Sequence, residues 1–400
     1  MKPHLYIIAV FLSLFTCTNK SKYQEANNLN IQAKEAINLK HYQKALTYSE
    51  DALSIYQSLS DTLGLANSYY FLARASALSS NFNNAVKYGV KGSEICKNIL
   101  NFEVENRINN TLSWAYFELG KGFDETFDHQ QRQLFVVEQL DDDTAKASVY
   151  NNYGYDGTVS GKISLDKAMH YSKIANDHYA KSENNNGRWY TLMNLTWQHR
   201  LINDLVESEK FGRLSVAQAE ADSDRHAIIE ANTNLGETLL LQNKIDEAKP
   251  LYERGLELNS QLKDRDKFVF DLYHAHYMWL TGEKDKSIGT LKAAIEFLEG
   301  SEIFYEMMAR AFLAKFSFER NDLVEAKNQI AIFKKPRANY FSEEARMMVA
   351  LVESQIIAMN NTKEAIDFLK LKNSELNSSG AHLLKSNISK LIAHLENDKN

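Results

Sequence analysis

The sequence predicts an all-α solenoid of about nine antiparallel helix pairs, closed by a C-terminal capping helix. Three observations predict it. A small residue recurs as Ala45, Ala85, Thr126, Ala168, Ser208, Ala248, Ser287, Ala326 and Ala365, at intervals of 39 to 42 residues. A turn-forming pair precedes every one of these anchors but the first: Ser80-Asn81, Gly120-Lys121, Gly161-Lys162, Asn203-Asp204, Asn243-Lys244, Gly282-Glu283, Asn321-Asp322 and Asn360-Asn361. Gly, Asn and Asp tolerate the backbone angles that end one helix and cap the next. Finally, the 400 residues contain only 3 prolines, which leaves long stretches free for helix.

The N-terminal segment reads differently from the repeats. Lys2 gives a positive start, Leu5 to Phe15 is an apolar run broken only by Ser13, and Cys17 follows. Such a run is shorter than the roughly 20 residues of a membrane-spanning helix and suits a signal peptide over residues 1–16. Leu14-Phe15-Thr16-Cys17 resembles a bacterial lipobox, which implies that Cys17 carries a lipid as the first residue after cleavage. Phe15 and Thr16 are larger than the usual residues before such a cysteine, and ordinary cleavage or an uncleaved anchor are the alternatives. Residues 17–26 then form a flexible tether, and the expected location is the bacterial cell envelope, at the outer membrane or facing the periplasm. With Cys17 committed, Cys96 is the only other cysteine and reads as a buried filler.

Residues 27–378 carry the repeats. The clearest runs from Asn234 through Leu235-Gly236, the turn at Asn243-Lys244 and the stretch Glu247-Ala248-Lys249-Pro250-Leu251-Tyr252 to Gly255-Leu256. This unit resembles the tetratricopeptide repeat, and in particular the kinesin light chain variety. Gly236, Ala248 and Gly255 belong where two helix backbones approach, and Pro250 is expected in the opening turn of its helix. The period near 40 exceeds the usual 34 or so and predicts longer helices or longer loops. A second small residue follows each anchor by seven positions at Ala52, Gly92, Ala175, Ser215, Gly255 and Ala294, but Phe333 and Lys372 take that place in the last two units, which must pack differently. The third unit, with Thr126-Phe127-Asp128-His129, is degenerate. In the final segment, residues 379–400, Leu383, Leu384, Ile388, Leu391, Ile392 and Leu395 have helical spacing and form the cap.

Composition narrows the function. A formal net charge of −6 without a long basic run makes nucleic acid a poor partner. No glycine-rich phosphate loop, zinc-protease motif, serine nucleophile elbow or paired CxxC is present, so neither enzyme, cofactor nor metal site is predicted. His274 and His276 are two apart on a helix and point to different faces. Asp141-Asp142-Asp143 reads as a solvated loop between units.

Pairs such as Leu72-Ala73, Tyr153-Gly154, Leu235-Gly236 and His274-Ala275 mark the phase of each first helix. The next residue lies on the side that lines the concave groove in tetratricopeptide proteins. The candidates are Arg74, Trp114, Tyr155, Trp197, Glu237, His276 and Lys315, with Tyr70, Arg200 and Trp279 one turn away. The blander reading places these aromatics in helix packing. The resemblance implies a tethered scaffold that holds a protein or peptide segment. Glycan capture and an extracytoplasmic signalling input are the alternatives.

Overall fold

The computed structural model describes residues 3–119, 123–182, 187–260, 265–299, 303–334, 343–375 and 382–397, and every regular element among them is a helix. The chain forms two compact units, residues 1–149 and 150–400, divided within one helix.

The first unit holds α1 (Pro3–Asn38), α2 (Tyr42–Leu59), α3 (Thr62–Leu78), α4 (Phe82–Ile99), α5 (Phe102–Glu118), α6 (Phe123–Val137) and the start of α7 (Asp143–Ser160). Consecutive helices pack as antiparallel pairs. The signal-peptide side chains and Cys17 lie outside the described residues, but the backbone of α1 is helical through them. The stretch 17–26 is helical as well, in place of the expected tether. By Tyr23 the helix is already docked: its ring meets Tyr56 edge-on at 6.0 Å, and Ala26 is buried with Ala52 and Tyr56. Among the described residues no helix is long and apolar enough to cross a membrane.

The second unit continues α7 and adds α8 (Leu165–Lys181), α9 (Arg188–Leu201), α10 (Leu205–Asp222), α11 (Arg225–Leu241), α12 (Ile245–Asn259), α13 (Arg265–Leu280), α14 (Lys284–Leu298), α15 (Ile303–Glu319), α16 (Leu323–Phe333), α17 (Glu343–Ala358), α18 (Thr362–Glu375) and α19 (His382–Asn397). α19 packs on α17 and α18 through Ile388, Leu391, Ile392 and Leu395, and also touches α9. Leu383 and Leu384 lie outside the described side chains.

The repeat arithmetic has a direct structural counterpart. All nine anchors fall in the even-numbered helices α2 to α18, and each is 0% exposed. The excess over the usual repeat length sits in the helices: α3 has 17 residues and α4 has 18, joined by a short turn. That turn is left-handed at Ser80, and the same conformation recurs at Lys40, Gly161, Asn203, Asn243, Gly282 and Asn321. The side chains of Asn81, Ser164, Asp204, Asp322 and Asn361 then accept from the first free N–H groups of the following helix. Gly120-Lys121 lies outside the described residues. Asp142, from the acidic loop, caps α7 by accepting from Ala145 N–H at 2.9 Å.

Close approach explains the small residues. A Cβ on Gly236 would sit 2.8 Å from the Tyr252 ring, and one on Gly255 would sit 2.3 Å from the Phe270 ring. Pro250 departs from expectation: α12 starts at Ile245, so the proline lies in its second turn, on an exposed face where water can satisfy the freed carbonyl. Where Phe333 replaces a small residue, α16 is cut to 11 residues and the ring closes the apolar core of α13, α15 and α17. Lys372 is half-buried, lies over the Phe368 ring at 5.7 Å and pairs with Glu375 at 3.0 Å.

The degenerate third unit is packed with polar groups. Glu105, 0% exposed, accepts from Arg132 Nε at 2.7 Å and Nη2 at 3.0 Å. Gln133, seven residues after Thr126, donates to the Asn106 carbonyl at 3.3 Å. Cys96 is buried nearby with Val104 and Ile108, and burial, with the Glu105 charge adding to it, pushes its thiol up to about 12.

Candidate functional site

In the second unit, the first helices of successive pairs turn one face toward a cavity of about 370 Å³. Helical spacing sets the wall. On α9 the residues Trp189, Tyr190, Met193, Asn194, Trp197 and Arg200 recur every three or four positions, as do His226, Ile229, Glu230, Thr233 and Asn234 on α11. α13 gives Val269, Phe270 and Tyr273; α15 gives Phe304, Tyr305 and Met308; Tyr155 of α7 and Glu344 of α17 complete it.

The aromatic wall is continuous around α7 and α9. The Tyr155 ring lies 5.8 Å from Tyr190 and 6.1 Å from Trp197, and Trp189 meets Tyr190 at 5.5 Å and His226 edge-on at 6.1 Å. Burial first, then the neighbouring Tyr190 for Tyr155 and Tyr305 for Tyr273, holds both phenols well above the ordinary tyrosine value. Both therefore remain neutral groups able to donate or accept a hydrogen bond.

Arg200 is the only arginine or lysine among the described lining residues and is 4% exposed. Its Nη1 donates to the Asn234 carbonyl at 3.2 Å, and among the described residues no carboxylate forms an ion pair with it. Glu237 feels the Arg200 charge, but both of its oxygens are taken: Oε1 by the Tyr252 hydroxyl at 2.6 Å and Oε2 by His276 Nδ1 at 2.9 Å. Burial pushes the Glu237 carboxyl up; His276, Tyr252 and Arg200 outweigh it and leave it below the ordinary value, so it is ionised at neutral pH. Asn194, 1% exposed, donates to Asn151 Oδ1 at 2.9 Å, while its own Oδ1 has no partner.

The sequence-predicted residues divide three ways. Tyr155, Trp197 and Arg200 line the cavity. Glu237, His276, Lys315 and Trp279 do not. Glu237 and His276 bridge α11 to α13 inside the wall, and Lys315 lies over the Phe316 ring at 6.0 Å. Trp279 is a packing residue, 5% exposed, stacked on Phe316 at 4.3 Å with its indole N–H on Glu319 at 2.7 Å. The phase markers point to the face that borders the cavity, but on α11, α13 and α15 the cavity occupies the N-terminal part of that face, while His276 and Trp279 further along are buried. Counting three or seven residues toward the helix start reaches Tyr273 and Met308, the signal that would have found them.

Tyr70, Arg74 and Trp114 belong to the first unit and are half-buried. Arg74 lies over the Trp114 ring at 5.4 Å, Trp114 packs edge-on against Phe82 at 5.8 Å, and Arg107 covers Tyr70 at 5.1 Å. His274 packs among Tyr252, Phe270 and Tyr277, away from His276. Among the described residues no group of three His, Cys, Asp or Glu is placed to hold a metal ion.

Comparison with known proteins gives a repeat and a fold. Residues 229–262 match the tetratricopeptide repeat model, around the unit that the sequence shows most clearly. No curated protein sequence matches the chain. Among solved structures, NprR in complex with its cognate peptide NprX aligns at TM-score 0.60 with 11% identity, covering 90% of this chain and 98% of that one. A Rap protein complexed with Competence and Sporulation Factor aligns at 0.57 with 13% identity over 94% and 98%. The Rap conjugation gene regulator of plasmid pLS20, in complex with the Phr* peptide, aligns at 0.52 with 14% identity over 92% and 97%. Paired helices and buried anchors make this chain an all-α solenoid, and residues 229–262 within it match the tetratricopeptide repeat.

Proposed function

We propose that this chain is a non-catalytic scaffold that binds a short peptide or protein segment in the cavity of its second unit. The carrying observation is the cavity itself, walled by tryptophan and tyrosine around a buried cation that has no carboxylate partner among the described residues. Its volume of about 370 Å³ lies in the range of roughly 300–1,000 Å³ for pockets that bury small ligands, and suits an extended segment rather than a folded domain. Tryptophan, tyrosine and arginine are also the residues that dominate binding hot spots. The peptide complexes of NprR and of the pLS20 regulator support the same class of ligand here, as does the kinesin-light-chain-like stretch 247–252.

The reading includes export and tethering: the apolar run before Cys17 supports a signal peptide, and Cys17 would carry the lipid that holds the scaffold at the cell envelope. Metabolic labelling with a palmitate analogue should mark the wild type and not Cys17→Ala; equal labelling contradicts the anchor.

The function is tested by passing a low-mass extract of the producing cells over the purified chain and over Trp197→Ala/Tyr273→Ala. Peptides retained only by the wild type support the reading, and equal retention contradicts the site. A second reading, sugar capture, is favoured by the same aromatic faces, and retention of oligosaccharides in place of peptides would establish it. An input role in signalling would rest on the same capture step, with its output in a separate protein.

A further inference from the structure

A buried guanidinium without an anion is costly, because five N–H donors lose water and the charge gains nothing in return. Arg200 is in that state. It is 4% exposed and gives one hydrogen bond, to the Asn234 carbonyl. Glu237, the carboxylate that responds to its charge, is held by Tyr252 and His276. Arg200 lines the cavity, and none of its remaining donors is both sealed from solvent and without a partner among the described residues. On the same helix, α9, the buried Asn194 also lines the cavity and leaves an oxygen without a donor. Elsewhere the wall carries Glu230 and Glu344, which repel an anion and leave Arg200 as the place for one. The Tyr273 phenol feels both Arg200 and Glu344, so the cavity has a positive and a negative pole within reach of one ring.

We propose that Arg200 anchors a carboxylate of the bound peptide. This rests on the peptide-binding reading and names the chemistry it uses: a planar guanidinium, here 4% exposed, matches a carboxylate with two parallel N–H···O bonds. The carboxylate comes either from the free C-terminus or from an Asp or Glu side chain. The orphaned Asn194 oxygen accepts an N–H of the same ligand, and the aromatic wall takes its side chains.

Three tetrapeptide pools separate the sources: one lacking Asp and Glu with free C-termini, the same pool amidated, and an amidated pool that includes Asp and Glu. Each is retained on the intact chain, eluted and identified by mass spectrometry, and the affinities of enriched members are measured by calorimetry. Retention of the free-acid pool over its amide by about tenfold or more assigns the C-terminus. Preference for the acidic amidated pool assigns a side chain and supports the same anchor. In Arg200→Met the carboxylate preference should fall to about one, and Arg200→Lys should keep part of it, because charge remains and the fork is lost. If Arg200→Met fails to fold, the wild-type comparison decides alone. Equal retention of all three pools overturns the Arg200 assignment and leaves peptide binding standing; no retention of any pool overturns both.

Discussion

The two units place the same kinds of residue on their first helices, and only the second leaves them available. In the first unit each cation beside a candidate ring is already engaged: Arg74 covers Trp114, and Arg107 covers Tyr70 and pairs with Glu103 at 3.6 Å. Arg132, in the same unit, is clamped on buried Glu105. In the second unit Arg200 faces a cavity with one carbonyl for company. A tryptophan, tyrosine or arginine at the right phase of a repeat is thus not yet a binding residue. What separates the two cases is whether the fold itself has given the cation a carboxylate or a ring to satisfy its charge.

The largest effect should follow from undoing that satisfaction. Arg132→Met leaves Glu105 buried without its partner and should cost about 3–5 kcal/mol of the first unit's stability in denaturant unfolding. A loss below 1 kcal/mol, far under that range, would show that the pair contributes little to this polar repeat.

Gly255→Ala drives a methyl group into the Phe270 ring, which also lines the cavity. Thermal unfolding should show a loss of about 1–3 kcal/mol. Ligand affinity should fall with it, since the ring can yield only by moving.

Glu237→Gln acts through pH. The folded carboxyl titrates below its ordinary value of 4.5, so its ionised form stabilises the fold fully above that value. The contribution is lost as pH falls through the lowered folded pKa. Melting temperatures followed from neutral to acid pH should show a steeper acid-side decline in the wild type than in the variant. Parallel curves would mean that the His276 and Tyr252 contacts do not favour the charged form.

The smallest effect belongs to Arg74→Ala. It removes a partly exposed cation–π contact worth about 0.5–1 kcal/mol and should leave peptide affinity untouched.

The repeat was legible because its steric cause is local. Each anchor must be small where two backbones meet, and the period of Ala45 to Ala365 places all nine pairs before any coordinate is known. The face of the site was legible for the same reason, and Tyr155, Trp197 and Arg200 are on it. Its position along that face was not. Whether Tyr273 or His276 opens onto the cavity depends on how α11, α13 and α15 lean on one another, and that inclination leaves no mark in a single helix. Nor could spacing show that Arg200 lacks a carboxylate, since this follows from Tyr252 and His276 occupying Glu237 from two other helices. Within the stretch expected to form a tether, Tyr23 and Ala26 dock on Tyr56, a contact that the polar residues around them do not announce.

The most direct test compares two tryptophans, one from each unit. A peptide retained by the wild type is titrated against Trp197→Ala and Trp114→Ala by calorimetry. Binding should weaken about tenfold or more in Trp197→Ala and stay within error of wild type in Trp114→Ala. Loss of affinity in Trp114→Ala, with Trp197→Ala binding normally, would move the site to the first unit and contradict the account.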